Sequence, residues 1–541
     1  MTNMPVLERS GDHVRLLVDG ESFLCLGGEL HNSSSSDATH MAPIWESLGR
    51  SGVSSVVASV GWDQVEPEEG RFDFGVVDDL LNGARSAGVR LVLIWFGAFK
   101  NALSTYAPSW VRADRARFPR ADRGAAPYTA PFSYEGSMPR PALSVFSPEL
   151  READLRAYGA LMQHLREVDP QHTVVVMQVE NEVGLLGSAR DYSPPAVEGW
   201  NSAIPAELLG AIEANDLDFH DDILNLFLEP TGRATSWEER FGTGNPVADE
   251  VFMAWGFARY LGALADAGKR VKALPAYANA WLGPQPGQAL PGQYPSGGPT
   301  ARMGGVWRVG APALDFIAPD IYVSDSATVM AEYASALNPL FVPEARLRTG
   351  DAFLAIGGFN AIGYHAFGID DVRDESQLSS AMKQLLALTP EIVAAQRDGR
   401  IVGFALDDDV VTVTATLQDL TVVIRNAPKL FARMLLDVGV QLPTPSPLPN
   451  ETNSISHGEH PADSRAFGIL IATGPLEFIA VGQNAMIDFS REGTELEVDS
   501  VRELRLTNGS WTDGRILNGD ERLNILGNNT ITAARITLLG S

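Results

Sequence analysis

The sequence predicts an α/β chain: a (β/α)8 (TIM) barrel over residues 1–393, followed by a C-terminal β-sandwich-like domain over residues 394–541. From residue 20 to about residue 370, short β-branched or apolar runs alternate with longer stretches of helical period, the pattern of β/α units around a parallel sheet. Eight such runs fall at 22–28, 54–59, 90–96, 173–178, 272–278, 315–319, 340–343 and 353–365. After residue 394 the pattern becomes strict alternation, as in VVTVTATLQDLTVVIR (410–425), which is how antiparallel strands with one wet face are written.

Taken in order, the first twenty residues carry charges within the first dozen positions and no apolar run of signal-peptide length, so a cytoplasmic protein is expected. No stretch approaches the roughly 20 apolar residues that a membrane-spanning helix needs. After the second run, Val76, Val77, Leu80, Leu81, Ala84 and Ala87 recur at helical spacing and Gly88 supplies a C-terminal cap. Ser147-Pro148-Glu149 opens another helix, with a capping hydroxyl, proline at the first position and an acid at the positive end of the dipole. Long stretches follow the third run (98–147) and the fourth (184–268), rich in Trp, Tyr, Pro and Gly. On a barrel these build the mouth of the active site, and their composition suits a carbohydrate cleft. A doubly wound sheet would show the same alternation, but no G-x-G-x-x-G follows the first run and no G-x-x-x-x-G-K-[ST] occurs anywhere. In the C-terminal part, 443–465 reads as a long Pro/Ser-rich loop.

Composition narrows the function. With 45% hydrophobic and 20% charged residues, the 541-residue chain is an ordinary globular protein with room for several domains. Its single cysteine, Cys25, excludes an intrachain disulfide. Sixty-eight acidic against 41 basic residues give a net charge of −27, which opposes nucleic acid and anionic membranes as partners. No cofactor motif is present, and the acids and histidine at Asp216, Asp218, His220, Asp221 and Asp222 match neither calcium-loop nor zinc spacing.

Chemistry concentrates at two strand ends. VVVMQVENEVG (174–184) carries Gln178, Glu180, Asn181 and Glu182 to the rim of the fourth strand, where a period of two would put Glu180 and Glu182 on one side as a local pair. PLFVPEAR (339–346) ends the seventh strand in Glu344, with Arg346 beside it as a candidate ion-pair partner. Glu182 and Glu344 therefore face one cavity across a closed barrel. Two carboxyls flanking a sugar ring suit glycosidic cleavage: one protonates the leaving oxygen, and the other attacks the anomeric carbon if they lie roughly 5 to 5.5 Å apart, or activates water if about 6.5 to 9.5 Å apart.

The segment from Gly28 to Asn101 resembles the N-terminal part of glycoside hydrolase family 35 and, more distantly, family 42, both β-galactosidase families of a clan of retaining barrel hydrolases. GELH (28–31) resembles the family's G-E-[IL]-H. Trp62 with EPEEGRFDF (66–74) resembles its W…EP..G.FDF stretch, and QVENEVG (178–184) its Q-[IV]-E-N-E-Y-G motif. The resemblance implies that Glu182 is the acid/base, Glu344 the nucleophile and Asn181 a partner of the sugar's 2-hydroxyl. The regions that read galactose in family 35 differ here, being Ser59-Val60-Gly61-Trp62 and Phe96-Gly97-Ala98-Phe99-Lys100-Asn101.

Further substrate-binding candidates at strand ends are Glu66, Lys100 and Asn101, with Trp281, Tyr322 and Tyr364 as aromatic platforms for a pyranose face. Glu29 and His31, after the first strand, read as a buried pair or a substrate contact. The expected activity is that of a retaining, exo-acting β-glycosidase, foremost a β-galactosidase releasing terminal non-reducing β-galactosyl residues from a small oligosaccharide or glycoside. The same mechanism on another β-glycoside or an arabinopyranoside, a non-catalytic carbohydrate-binding barrel and a metal-dependent hydrolase are the alternatives. The expected site needs no metal or cofactor, and self-association into a homo-oligomer is compatible with the sequence.

Overall fold

A computed structural model describes residues 3–124, 141–228, 235–407, 409–441, 462–507, 509–523 and 525–539. Its centre is a closed parallel barrel with strands Cys25–Glu29, Ser55–Gly61, Arg90–Lys100, Val174–Asn181, Ala276–Trp281, Phe316–Ile321, a seventh in two pieces, and Gly363–Phe367. Pro343, which has no N–H to donate, divides the seventh strand. Phe341–Val342 pairs with the eighth strand and Glu344–Ala345 with the sixth, so the break itself closes the ring.

All eight expected strand positions are occupied, but boundaries move: the third strand runs on to Lys100, the fifth begins at Ala276, and the first and eighth change most in character. Residues 353–358 are helical, within Thr349–Gly358, and the eighth strand begins only at Gly363. Ala352, Phe353, Ala355 and Ile356 are buried at helical spacing, a pattern that a continuous apolar run conceals. At the other end, Glu21–Phe23 belongs to an antiparallel sheet with Val6–Ser10 and His13–Val18. Leu16 and Val18 of that sheet join Cys25, Val57, Val92, Val175, Phe316 and Phe341 in one apolar cluster, sealing the end of the barrel opposite the strand C-termini.

The two predicted helix starts and stops hold. Gly75–Ala87 ends at Gly88 with φ 71°, and Ser147 caps Pro148–Val168 by accepting from the Leu150 N–H. The excursion after the fourth strand contains short helices before Pro246–Val271, the long barrel helix that Asn245 caps. Its aromatics do not line a cleft. Trp200 and Trp237 stack at 5.9 Å, and Phe252 of the barrel helix packs edge-on against both, so these rings belong to the main apolar core.

The C-terminal part is a sandwich of two antiparallel sheets. One holds Ile401–Ala405, Phe467–Gly474, Glu477–Gln483, Thr532–Leu538, Val498–Thr507 and Ser510–Leu517; the other holds Thr412–Leu417, Leu420–Asn426, Ala485–Arg491 and Thr494–Leu496. Val422, Ile424, Phe478, Phe489 and Ile536 fill the space between them. The division expected at 393/394 falls inside the helix Thr389–Arg397, and the first sandwich strand starts at Ile401. Most of the loop expected at 443–465 lies outside the described residues. Among the described residues no helix is long and apolar enough to cross a membrane.

Candidate active site

Side chains alternate in and out along each barrel strand, and several inward positions end in acids. Glu29 closes the first strand, Asp320 stands near the end of the sixth, Glu344 begins the second piece of the seventh, and Glu182 directly follows the fourth. These four carboxyls lie close enough together for Lys100 of the third strand to act on all of them. Glu182 and Glu344 keep 6% and 7% of their surface exposed and Glu29 and Asp320 2% each, with Asp320 standing in register beside Glu344.

The two central acids differ in their surroundings. Burial, followed by the negative charge of Glu344, pushes Glu182 up to about 8, against the opposing pull of Lys100. Burial also raises Glu344, but Lys100 and a hydrogen bond donated by the Tyr322 hydroxyl both favour its ionised form. Oε2 of Glu344 is buried without a partner. Both carboxyls are thus raised, Glu182 with the help of its neighbour's charge and Glu344 by burial against the opposing effects of Lys100 and Tyr322.

Two strand ends hold each other in place. Glu180 and Glu182 both adopt positive φ (62° and 46°), which breaks the period of two. Glu180 consequently turns away from Glu182 and packs beside Asp154 of the helix Pro148–Val168. Its carboxylate accepts the Gly97, Ala98 and Phe99 N–H groups at 3.1, 2.9 and 2.8 Å. The expected Glu180–Glu182 pair is therefore replaced by a brace on the third strand. That brace fixes the segment leading to Lys100 and Asn101, whose following residues return the contact: the Asn101 and Ala102 N–H groups donate to the Asn181 and Glu182 carbonyls, both at 3.1 Å. Lys100 Nζ donates to Asn181 Oδ1 at 2.8 Å, and Asn101 Nδ2 donates to the Glu182 carboxylate. Asn279 of the fifth strand accepts the Glu182 N–H at 3.0 Å and donates to Asp320 at 2.7 Å.

Glu182, Glu344, Asn181, Lys100, Asn101 and Tyr322 are therefore brought together. Lys100 and Asn101 bind the acids' neighbourhood, and Tyr322 offers its hydroxyl to Glu344 where a stacking ring was expected. Trp281 ends the fifth strand and packs half-buried against Ala102 and Leu186. Glu66 and Tyr364 do not join them. Both Glu66 oxygens are occupied, by Trp62 Nε1 at 2.8 Å and the Gly70 N–H at 2.7 Å, so this acid braces its own turn. Tyr364 lies fully buried on the outward face of the eighth strand, its hydroxyl towards the Arg346 and Arg348 carbonyls. The cation acting on Glu344 is Lys100.

Asp320 and Asn279 escaped the sequence reading, and Glu29 was grouped with His31, which instead lies 2.8 Å from Asp371. The missed signal was parity. Asp320 in IAPDIY stands two residues after inward Ala318, so the strand-end criterion that selects Glu344 selects it too. Among the described residues, no group of three or more His, Cys, Asp or Glu is arranged to hold a metal ion.

Residues 34–208 match a family model described as β-galactosidase, glycoside hydrolase family 42, a span that includes Lys100, Asn181 and Glu182 but not Glu344. Residues 378–526 match a family described as a domain of unknown function. No curated protein matches the chain. Among solved structures, the cold-adapted β-galactosidase of Rahnella sp. R3 is similar at 13% identity over 96% of this chain and 98% of its own, with a TM-score of 0.49. The β-galactosidase of the psychrophilic Marinomonas ef1 is similar at 14% identity over 68% of this chain and 61% of its own (TM-score 0.43). The catalytic domain of a β-amylase from Paenibacillus polymyxa is similar at 16% identity over 67% of this chain and 98% of its own (TM-score 0.43). Likeness this distant bears on neither substrate nor mechanism. The family model together with the paired acids marks the chain as a glycoside hydrolase.

Proposed function

We propose that this protein is a retaining, exo-acting β-glycosidase, and foremost a β-galactosidase. The observation that carries the reading is the meeting of Glu182 and Glu344, close enough for the Glu344 charge to help push Glu182 up to about 8, while Lys100 and the Tyr322 hydroxyl favour the ionised form of Glu344. The protonated Glu182 gives its proton to the glycosidic oxygen while the Glu344 carboxylate attacks the anomeric carbon, forming a glycosyl ester and releasing the aglycone. Esterification removes the Glu344 charge, one of the causes that keeps Glu182 protonated. Glu182 then serves as base to the water that hydrolyses the ester.

The remaining groups fit these steps. With Asn181 Oδ1 held by Lys100, the amide presents Nδ2, a buried donor without a partner, and a 2-hydroxyl would satisfy it. Tyr322 and Lys100 stabilise the Glu344 carboxylate before attack and as it leaves the sugar again. Galactose preference rests on the family model and on the resemblance to family 35.

Trapping with a 2-fluoro-β-galactoside followed by peptide mapping tests the scheme. A label on Glu344 is expected, with retention of the anomeric configuration by NMR; an inverted product, or a label elsewhere, would refute the two-step route through Glu344.

A further inference from the structure

Asp320 has no part in the steps above, although it meets the acid that carries them. It stands near the end of the sixth strand, in register with Glu344 on the neighbouring piece of the seventh, and is 2% exposed. A single amide ties it to Glu182. Asn279 Oδ1 accepts the Glu182 N–H at 3.0 Å, which turns Nδ2 of the same side chain towards Asp320 Oδ2, where it donates at 2.7 Å. The other oxygen, Oδ1, is buried and receives no N–H or hydroxyl donor. The Asp320 and Glu182 carboxyls also hydrogen-bond to each other. Ionised carboxyls only accept, so a bond between two of them contains a proton. Placed on Asp320, that proton turns the orphaned Oδ1 into a donor and leaves Glu182 as the acceptor. Burial, followed by the charges of Glu344, Glu182 and Glu29, holds the proton on Asp320 against the pull of Lys100. Tyr277 of the fifth strand, Tyr322 after the sixth and Tyr333 of the helix Ser326–Tyr333 also feel the Asp320 charge; burial pushes all three hydroxyls up, so they stay neutral.

We infer that Asp320 is a positioning residue for the acid/base: a neutral carboxyl that donates a hydrogen bond to Glu182, holds that side chain at the strand end, and stabilises its carboxylate once the leaving group has taken the Glu182 proton. The Asp320 proton itself stays in place. Asn101 Nδ2 donates to the same Glu182 carboxyl, so the charge that appears there meets two neutral donors already aimed at it. Both bonds strengthen as that charge develops, and an interaction stronger in the transition state than before it is what raises a rate. Asp320 acts through Glu182, and its role presupposes that Glu182 is the acid/base proposed above.

The test compares Asp320→Ala with Asp320→Asn, whose amide is a neutral donor of nearly the same shape that cannot ionise. Asp320→Ala should lower kcat/KM on alkyl glycosides by about 10- to 100-fold, the worth of one hydrogen bond to a charged group. Nitrophenyl glycosides, whose leaving groups depart unprotonated, should lose far less. The alkaline limb of kcat/KM should move to higher pH, because the ionised Glu182 has lost a donor. Asp320→Asn should recover most of the loss and bring the limb back towards its wild-type position. At neutral pH the infrared difference spectrum between wild type and Asp320→Asn should carry the C=O band of a protonated carboxyl that shifts in heavy water. Circular dichroism and melting report whether each variant is folded; should Asp320→Ala not fold, the band and the Asp320→Asn limb decide. An ionised Asp320 would give the opposite result, with no such band and an Asp320→Asn limb displaced to lower pH as a neighbouring negative charge disappears. Either outcome would overturn the inference, as would equal losses on both substrate types or undiminished kcat/KM in Asp320→Ala. Absence of turnover by the wild-type protein would sink the hydrolase reading alone. The donated bond is still tested by the band and by carbon-13 NMR of labelled glutamate, in which the Glu182 titration should rise in Asp320→Ala and not in Asp320→Asn.

Discussion

At the scale of single residues, the chemistry depends on one carboxyl keeping a proton that its neighbour has lost. Because Glu182 is pushed up to about 8, kcat/KM should fall as pH rises through that region and the acid ionises. It should fall again at low pH as Glu344 takes up a proton, giving a bell-shaped profile. Glu182→Gln should lower kcat on alkyl glycosides by about 10²- to 10⁴-fold, the usual worth of a general acid, and far less on nitrophenyl glycosides, whose leaving groups depart unprotonated. Equal losses on both substrate types would contradict the assignment. Glu344→Gln should abolish turnover of either and, by removing the adjacent charge, bring the Glu182 titration down, which carbon-13 NMR of labelled glutamate can read. The same shift predicts an effect on stability. The folded protein holds the Glu182 proton more tightly than the unfolded chain, whose carboxyl titrates near about 4.3. Glu182's contribution is therefore whole below that value and declines as pH rises towards about 8. Melting curves of Glu182→Gln should show a Tm advantage over wild type that grows across this interval.

At the scale of elements, the site is an interlock between the ends of the third and fourth strands. Its least forgiving position is Gly97, where a Cβ would lie 2.4 Å from Trp95 Nε1 and 2.6 Å from Glu180 Oε1. Gly97→Ala should force the brace apart, at about 1–3 kcal/mol of overpacking. It should also cut kcat by about 10²-fold, since small displacements of positioned groups are that costly. Gly159→Ala, where the added methyl meets open space on the helix Pro148–Val168, is the matched control and should leave kcat unchanged. Much of this geometry was legible beforehand. Apolar runs located every barrel strand, and strand-end position picked out Glu182 and Glu344, which lie within reach of each other's charge. What stayed illegible is where tertiary contacts overrule a local period. Positive φ at Glu180 reverses its side, three backbone donors on another strand being the compensation. Tyr364 and Tyr322 were equally plausible as platforms, and parity alone sends the former outward. The helix Thr349–Gly358 carries an apolar run that a single-sequence pattern reads as strand, because its partners are the sandwich strands Ile401–Ala405 and Phe467–Gly474, far downstream.

Those partners matter at the scale of the whole molecule. Phe467, Ile469, Ile471 and Val481 of the sandwich belong to the same apolar cluster as the barrel's helices, and Phe353 meets Phe467 at 5.2 Å between ring centres. Arg465 carries the polar part of this junction. It is 5% exposed and donates to Asp351 at 2.7 Å and to Asp463 at 2.8 Å, while Asp463 also accepts the Gly350 N–H at 2.9 Å. Asp351 and Gly350 lie in the first turn of Thr349–Gly358, the helix that follows Glu344, so the sandwich grips the element directly behind the proposed nucleophile. Arg465→Ala would strand two buried carboxylates, and losing one partner of a buried ion pair costs about 3–5 kcal/mol. If the sandwich were an independent appendage, the barrel would melt unchanged. We expect the opposite, a Tm several degrees lower for the transition that carries activity, with catalytic loss and barrel unfolding coinciding on heating. The effect should depend on pH in a defined sense. Burial works to raise the Asp463 carboxyl, but the Arg465 guanidinium outweighs it and holds the group below its usual range. The stabilisation is therefore present above the ordinary aspartate value near about 3.9 and is lost as pH falls through the lower folded value. The Tm gap between wild type and Arg465→Ala should close on acidification, and a gap independent of pH between 7 and about 3 would show that lost packing, not charge, was responsible.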